Sequence, residues 1–225
     1  MRAYEEYSSF ETICLQQKQK RIGILGGSFN PVHNGHISIA YIALYEFMLG
    51  EVIFLPLGTP PHKPNEQIAS SRHRLEMLKL AISSENRFSL STIETGRGGI
   101  TYTADTLELI AGRDANAEYY YIIGTDTLFE LETWKRIDRV MTLTNFICIP
   151  RPGQEKLLVT HFAERLNKKY GHKIHLSRER GPDISSSLVR MQAAENKLSE
   201  GLVPKPVADY ILCNRLYEKR GADAD

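Results

Sequence analysis

With 225 residues, 42% apolar and 24% charged, the chain has the composition of an ordinary globular protein, long enough for a substantial core. A net charge of +1 gives no case for a general nucleic-acid or membrane-surface binder. The three cysteines, Cys14, Cys148 and Cys213, are odd in number and widely spaced; they suit neither a disulfide framework nor a metal site and read as thiols of a reducing cytoplasm. No apolar run is long enough to span a bilayer, and the N-terminus lacks the apolar core of a signal peptide.

Residues 1–20 are polar and read as an extension, flexible or a short helix, with no chemistry of their own. Arg21–Leu25 is an apolar run suited to a buried parallel strand, ended by Gly26-Gly27. Pro31 and Asn34-Gly35 mark a second turn. Apolar residues then recur at helical spacing from Asn34 to Leu49, with Gly50 as the stop. Val52–Leu55 is a second strand, which completes a βαβ unit. Pro56–Ser71 is a proline-stiffened loop, and Arg72–Ser83 a helix whose Arg72, His73, Arg74 and Lys79 read as a solvated basic face. Phe88–Ile93 is a strand, 104–111 a helix, and Tyr119–Ile123 a strand ending at Gly124. Phe146–Ile149 is a fifth strand, 155–170 a charged surface helix and 173–176 a short sixth strand, with closing helices over 185–195 and 207–217. Strands alternating with helices predict an α/β fold: a Rossmann-like, doubly wound parallel sheet with helices on both faces. Residues 21–217 make one domain, with 184–217 as a small C-terminal helical part and 218–225 as a polar tail. In such a sheet ligands sit beyond the carboxyl ends of the strands, where Gly26, Gly27, Pro56 and Gly124 fall.

The segment GGSFNPVHNGH, Gly26–His36, carries the strongest chemical signal. Residues without a Cβ let a ligand approach the main-chain N–H groups. A helix N-terminus favours phosphate, and His33 and His36 add donors on one side of the same anion. Ser185-Ser186-Ser187 with Arg190 reads either as an N-cap beside a surface arginine or as a second anion-binding helix start. Asp126, after a buried strand, suits ribose hydroxyls or a helix cap, and Trp134 suits core packing.

GGSFNPVHNGH resembles the signature of nucleotidyltransferases with a His-x-Gly-His motif. Pro60-Pro61-His62-Lys63, the helix Arg74–Ile82, Thr101-Tyr102-Thr103-Ala104-Asp105-Thr106-Leu107, Gly124-Thr125-Asp126 with Trp134, and Ile184–Arg190 resemble successive motifs of bacterial nicotinate-nucleotide adenylyltransferases. Thr101 and Val189 depart mildly from the usual Ser and Ile. The resemblance implies transfer of AMP from ATP to nicotinate mononucleotide, giving deamido-NAD and pyrophosphate in NAD biosynthesis. Nicotinamide mononucleotide and 4′-phosphopantetheine are the alternative acceptors, and a non-catalytic nucleotide-binding regulator is the alternative class. It implies His33 and His36 as catalytic residues. It implies ATP binding by Gly26, Gly27, Ser28, Phe29, His36, Asp126, Ser186, Ser187 and Arg190. It implies acceptor binding by Tyr102, Thr103, Trp134 and Lys63, with Trp134 stacked on the pyridine ring. Mg²⁺ is expected to arrive with ATP, held by phosphates and water rather than by protein ligands. The expected partners are these small molecules, with no nucleic acid and no membrane, in a monomer or homo-oligomer.

Overall fold

A computed structural model describes residues 19–58, 68–97 and 101–218. The extension 1–18 and the His62-Lys63 loop lie outside the described residues. Among these, six strands form one parallel sheet: β1 (Arg21–Gly27), β2 (Glu51–Pro56), β3 (Phe88–Leu90), β4 (Glu118–Gly124), β5 (Asn145–Ile149) and β6 (Ile174–Leu176). Their order is β3-β2-β1-β4-β5-β6, so the winding direction reverses between β1 and β4. This is the doubly wound Rossmann-like order, and the reversal opens a crevice at the carboxyl ends of β1 and β4.

The continuous apolar runs resolve into two interleaved sets because successive side chains on a strand face opposite ways. Leu25, Val52, Phe54, Tyr120, Ile122, Ile147 and Ile149 pack on one side in a first core. That core is closed by α1 (Asn34–Glu46), α2 (Ser71–Ile82), α7 (Ser186–Ala194) and α8 (Lys205–Cys213). Ile22, Ile24, Leu55, Tyr119, Tyr121, Ile123, Phe146 and Cys148 pack on the other side. There α3 (Thr103–Ala111), α4 (Thr125–Glu130), α5 (Ile137–Leu143) and α6 (Lys156–Tyr170) close a second core. In α6 the buried Val159, Ala163 and Leu166 recur at helical spacing, and Gly171, at φ 81°, ends the helix in the left-handed region. Sandwiched between two helical layers, the strands have no face that needs polar residues.

Several expectations are corrected by packing. Helix α1 stops at Glu46 rather than Leu49, and Met48 (φ 52°), not Gly50, takes the left-handed position. The early stop lets the Leu49 N–H reach the Leu44 carbonyl (2.9 Å) and buries Leu49. Strand β1 continues through Gly27, which is in register with Pro56, and β3 ends at Leu90 because the chain then turns inward to bury Glu94. Arg74 is not part of a solvated face. Its exposure is 1%, and its guanidinium is turned toward the ends of β1 and β2. Arg72 and Lys79 on the same helix are exposed, and His73 Nδ1 lies 3.0 Å from the Tyr210 hydroxyl of α8. Helices α4 and α5 between β4 and β5 were the elements least visible in the sequence, being only six and seven residues long.

The C-terminal helical part is sewn to the head of α1. The Asn34 N–H donates to the Leu202 carbonyl (2.9 Å), Asn34 Nδ2 to the Gly201 carbonyl (2.7 Å) and the Tyr217 hydroxyl to Asn30 Oδ1 (2.9 Å). One contact in β1 admits no side chain at all. A Cβ on Gly26 would run into the Tyr121 hydroxyl and lie 2.9 Å from Tyr121 Cζ. Gly26→Ala is therefore expected to cost about 1–3 kcal/mol in urea denaturation, and adding Tyr121→Phe to recover part of it. A Gly26→Ala chain as stable as its parent would contradict this packing.

Candidate active site

The turn that follows β1 is held by its carbonyl oxygens. The Gly27 carbonyl accepts from the Leu57 N–H (2.9 Å), and the Ser28 carbonyl accepts from Arg74 Nη1 (2.8 Å). The Asn30 carbonyl accepts from Arg190 Nη1 (2.8 Å), and the Pro31 carbonyl from the Ser186 hydroxyl (3.0 Å). In a trans peptide the N–H points opposite to the C=O. The Ser28 and Phe29 N–H groups therefore point away from the Leu57 and Arg74 donors that claim the carbonyls. Phe29 itself has φ 45°, and its ring is fully buried in the core.

This turn leads straight into α1, whose N-cap is His33, in extended backbone. Gly35 allows the close approach there, since a Cβ on it would lie 2.8 Å from His33 Nδ1 and 3.3 Å from the Ile184 carbonyl. Residue 184 immediately precedes the N-cap Ser185 of α7, whose hydroxyl accepts from the Leu188 N–H (3.2 Å). Two helix N-termini, those of α1 and α7, thus meet across the Asn30–Pro31 segment, and both present partial positive charge to the same region. Ser187 is exposed and its hydroxyl accepts from Arg190 Nη2 (3.2 Å).

The two imidazoles stack, with ring centroids 3.7 Å apart, and the Phe29 ring meets His36 edge-on at 4.9 Å. Burial pushes the His33 pKa down to about 4, helped by the charge of Arg151. Burial also holds His36 well below the usual histidine value, with His33 and Arg151 adding to the effect. Both rings are therefore neutral at pH 7. The His33 N–H donates to His36 Nδ1 (3.2 Å), so the single ring proton of neutral His36 sits on Nε2. His36 is a preset N–H donor without a charge.

Among the described residues, three buried side-chain atoms have no hydrogen-bond partner: His33 Nδ1, Arg74 Nε and Thr125 Oγ1. All three belong to groups at the carboxyl ends of the strands, beside the β1 turn, at the ends of β1 and β2, and just after β4. Unsatisfied buried polar atoms are uncommon in folded proteins, and these three share one end of one sheet. Two cavities lie elsewhere, and neither is lined by an expected site residue. One of about 330 Å³ opens beside Pro150 at the end of β5, lined by Lys156, Arg178 and Arg180 among others. A slightly larger one, about 370 Å³, is lined by Lys20, Glu51, Arg113 and Asp114 near the amino ends of the strands, and contains none of the expected site residues.

Asp126, the second residue of α4, is exposed and pairs with Arg151 (3.3 Å). Arg151 went unnoticed in the sequence. Its signal was positional, since it follows β5 by two residues at the same sheet end as the glycine turn. Thr103, the first residue of α3, hydrogen-bonds the hydroxyl of Tyr121, a phenol whose pKa burial and then Glu94 push up. Tyr102 is the N-cap of α3, and the Lys135 ammonium lies 4.0 Å from its ring centroid. Trp134 is half-buried and meets Tyr121 and Phe146 edge-on at 5.5 and 6.1 Å. Tyr121 therefore touches Thr103 and Trp134, and its hydroxyl fills the space beside Gly26. Lys63 falls outside the described residues.

Among the described residues no group of three or more His, Cys, Asp or Glu side chains could hold a metal ion, and no helix is long and apolar enough to cross a membrane. Comparison with known proteins matches residues 24–192 to the family described as cytidylyltransferase-like. Similar relatives include the probable nicotinate-nucleotide adenylyltransferase of Clostridium acetobutylicum, 37% identical over 198 residues, covering 88% of this chain and 99% of that protein. Another is its counterpart in Clostridium botulinum strain Kyoto, 40% identical over 196 residues, covering 87% and 98%. Among solved structures, nicotinic acid mononucleotide adenylyltransferase of Plasmodium falciparum shares the fold. Its complex with NaAD aligns with a TM-score of 0.69 at 21% identity, covering 88% of this chain and 97% of that one. Its complex with APC aligns with a TM-score of 0.68 at 20% identity and the same coverage. With 37% and 40% identity to relatives it spans almost end to end, and with a family-model match over residues 24–192, the chain belongs to the nicotinate-nucleotide adenylyltransferase family of cytidylyltransferase-like nucleotidyltransferases.

Proposed function

We propose that this chain transfers the AMP moiety of ATP to the 5′-phosphate of nicotinate mononucleotide, releasing pyrophosphate and deamido-NAD for NAD biosynthesis in the cytoplasm. The observation that carries the reading is the stacked, neutral His33–His36 pair where two helix N-termini converge. The acceptor phosphate has a second pKa near ~6 and is already mostly dianionic at neutral pH, so no general base is needed. One of its oxygens attacks the α-phosphorus, and the bond from that phosphorus to the bridging oxygen of the β-phosphate breaks. What remains is to align two anions and to stabilise charge on the α-phosphate and the leaving pyrophosphate.

In this reading His36 donates its Nε2 proton to a phosphate oxygen at the reacting centre, with His33 beside it. Gly26, Gly27, Ser28 and Phe29 give close main-chain approach and N–H donors. Ser186, Ser187 and Arg190 hold the β- and γ-phosphates at the start of α7, where Arg190 already lies against the β1 turn. Asp126 receives the ribose hydroxyls by leaving its pairing with Arg151. Trp134, Tyr102, Thr103 and Lys63 take the acceptor, Trp134 lending a ring face to the pyridine. Mg²⁺ enters with ATP, bound by phosphate oxygens and water, and supplies charge neutralisation to the triphosphate. Residues 21–217 act as one catalytic domain.

The deciding experiment is pyrophosphate release with ATP and Mg²⁺, offering nicotinate mononucleotide, nicotinamide mononucleotide and 4′-phosphopantetheine in parallel. Strong preference for the first is expected. Preference for either of the others replaces the acceptor, and no release with any of them favours a nucleotide-binding regulator. His36→Ala is expected to lower kcat about 10²–10³-fold with little change in melting temperature. A variant within a few-fold of the parent removes His36 from the reacting centre. Trp134→Ala is expected to raise KM for the mononucleotide more than KM for ATP, and equal effects on both would make Trp134 a packing residue only.

The buried histidines also set a pH dependence. With its folded pKa near 4 against about 6.5 unfolded, His33 binds fewer protons folded than unfolded in that window. Its contribution to stability is complete above ~6.5 and is lost as the pH falls toward 4, with a slope of at most ~1.4 kcal/mol per pH unit for each histidine. Denaturation midpoints of the ligand-free protein from pH 7.5 to 4.5 should fall less steeply in His33→Asn than in the parent.

A further inference from the structure

Glu94 is 2% exposed, and the proposed mechanism gives it no part. It follows β3 at the carboxyl end of the sheet, where the chain turns inward. Three donors converge on it: the Thr106 hydroxyl on Oε1 (2.8 Å), the Thr101 hydroxyl on Oε2 (3.2 Å) and the Gly58 N–H. Thr101 precedes α3 and Thr106 lies within its first turn and a half, so the carboxylate grips the N-terminus of that helix from both sides of Tyr102 and Thr103. Gly58 in turn is pressed onto the backbone here, since a Cβ on it would lie 3.0 Å from the Glu94 carbonyl oxygen.

Gly58 is held at its other end too. Its carbonyl accepts from Arg74 Nη2 (3.2 Å), while Arg74 Nη1 donates to the Leu57 and Ser28 carbonyls. A buried anion and a buried cation thus take opposite ends of one glycine. Arg74 carries the hold onward to the β1 turn on the ATP side, and Glu94 carries it to the head of α3. Desolvating a carboxylate and a guanidinium is costly, and each is retained here with neutral donors and acceptors rather than with the other as a direct ion partner.

We propose that Glu94 is a positioning residue for the acceptor nucleotide, fixing the Tyr102–Thr103 start of α3 against the Gly58 loop so that its donors meet the nicotinate group. This rests on the reading that Tyr102 and Thr103 bind the acceptor. Among the described residues the groups facing Glu94 are Thr101, Thr106 and Gly58 by hydrogen bond and Arg97 through its charge, while the neutral Tyr121 phenol feels the carboxylate. Burial raises the Glu94 pKa, and the three donors and Arg97 oppose that rise.

The test compares Glu94→Gln, Thr101→Val and Thr103→Ala in steady-state kinetics with each substrate varied in turn. Replacing one carboxylate oxygen by an amide NH₂ keeps the shape but removes an acceptor from a site with three donors. Glu94→Gln is expected to raise KM for the acceptor about tenfold or more, with KM for ATP within about twofold. Thr101→Val, which cuts a single arm, should move acceptor KM in the same direction by less, and it serves if Glu94→Gln does not fold. Combining the two should give less than the product of their separate effects, because they remove a shared bond. Equal rises in both KM values, or loss of melting temperature with unchanged KM values, overturns the proposal and leaves Glu94 structural. If Thr103→Ala shifts acceptor KM and neither Glu94→Gln nor Thr101→Val does, the positioning role alone fails. If Thr103→Ala leaves acceptor KM unmoved, the acceptor reading fails and the proposal with it.

Discussion

The architecture depends on one constraint: the turn after β1 must keep its carbonyls out of the crevice at the carboxyl ends of the strands. After β1 the chain bends sharply at the carboxyl end of a parallel sheet, where main-chain oxygens would otherwise line the crevice. Here those of Gly27, Ser28, Asn30 and Pro31 are claimed by donors from three places: the strand β2 exit, helix α2, and Arg190 and Ser186 of helix α7. Asn30 adds its side chain, whose Oδ1 accepts from the Ala69 N–H and the Tyr217 hydroxyl. Each clamp recruits an element from a distant part of the sequence. The α7–α8 tail, far from β1 along the chain, is therefore part of the turn's architecture rather than an appendage. With the oxygens turned away, the Gly27–Ser28 and Ser28–Phe29 peptide units offer their N–H donors, and the two helix N-termini supply the positive end of their dipoles.

The two buried charges, Arg74 and Glu94, extend the same logic outward. Among the described residues, neither pairs with an opposite side chain within hydrogen-bond reach. Arg74 spends four contacts on Ser28, Leu57, Gly58 and Ser71, and Glu94 gathers Gly58 and two threonines. Loops that would otherwise fray at the ends of β1, β2 and β3 are thereby cross-tied by groups whose removal would leave several polar atoms unsatisfied at once. Such ties are costly to bury but specific in geometry, which suits a crevice that must hold two like-charged substrates in line.

Much of this was legible in the sequence because the local signals agreed with the global fold. The strand positions followed from apolar runs, their parallel pairing from the intervening helices, and the crevice from the carboxyl ends of the strands. GGSFNPVHNGH announced the turn, and the spacing of His33 and His36 announced two imidazoles on one side of a helix start. What was hidden were contacts between residues far apart in sequence. Nothing local distinguishes Arg74 from its exposed neighbours Arg72 and Lys79, because its burial is decided by where β1 and β2 end. Glu94 and Arg151 drew no reading from the sequence, because their positions are set by where β3 and β5 end. The misplaced end of α1 has the same origin. Gly50 was the residue best suited to a helix stop, but burial of Leu49 moved the left-handed turn to Met48.

The tautomer of His36 has a consequence for turnover. A donor held neutral by burial, its proton directed by the His33 main chain, offers hydrogen bonds without an imidazolium's standing charge at the reacting centre. Hydrogen bonds from a neutral donor strengthen as negative charge accumulates on the oxygen they face, and weaken again when it disperses. A pyrophosphate that has left the α-phosphorus therefore has no ion pair to break with either imidazole. On the roles proposed above, its escape is governed by Arg190 and the helix ends, so the grip that lowers the barrier and the grip that retains the product reside in different side chains.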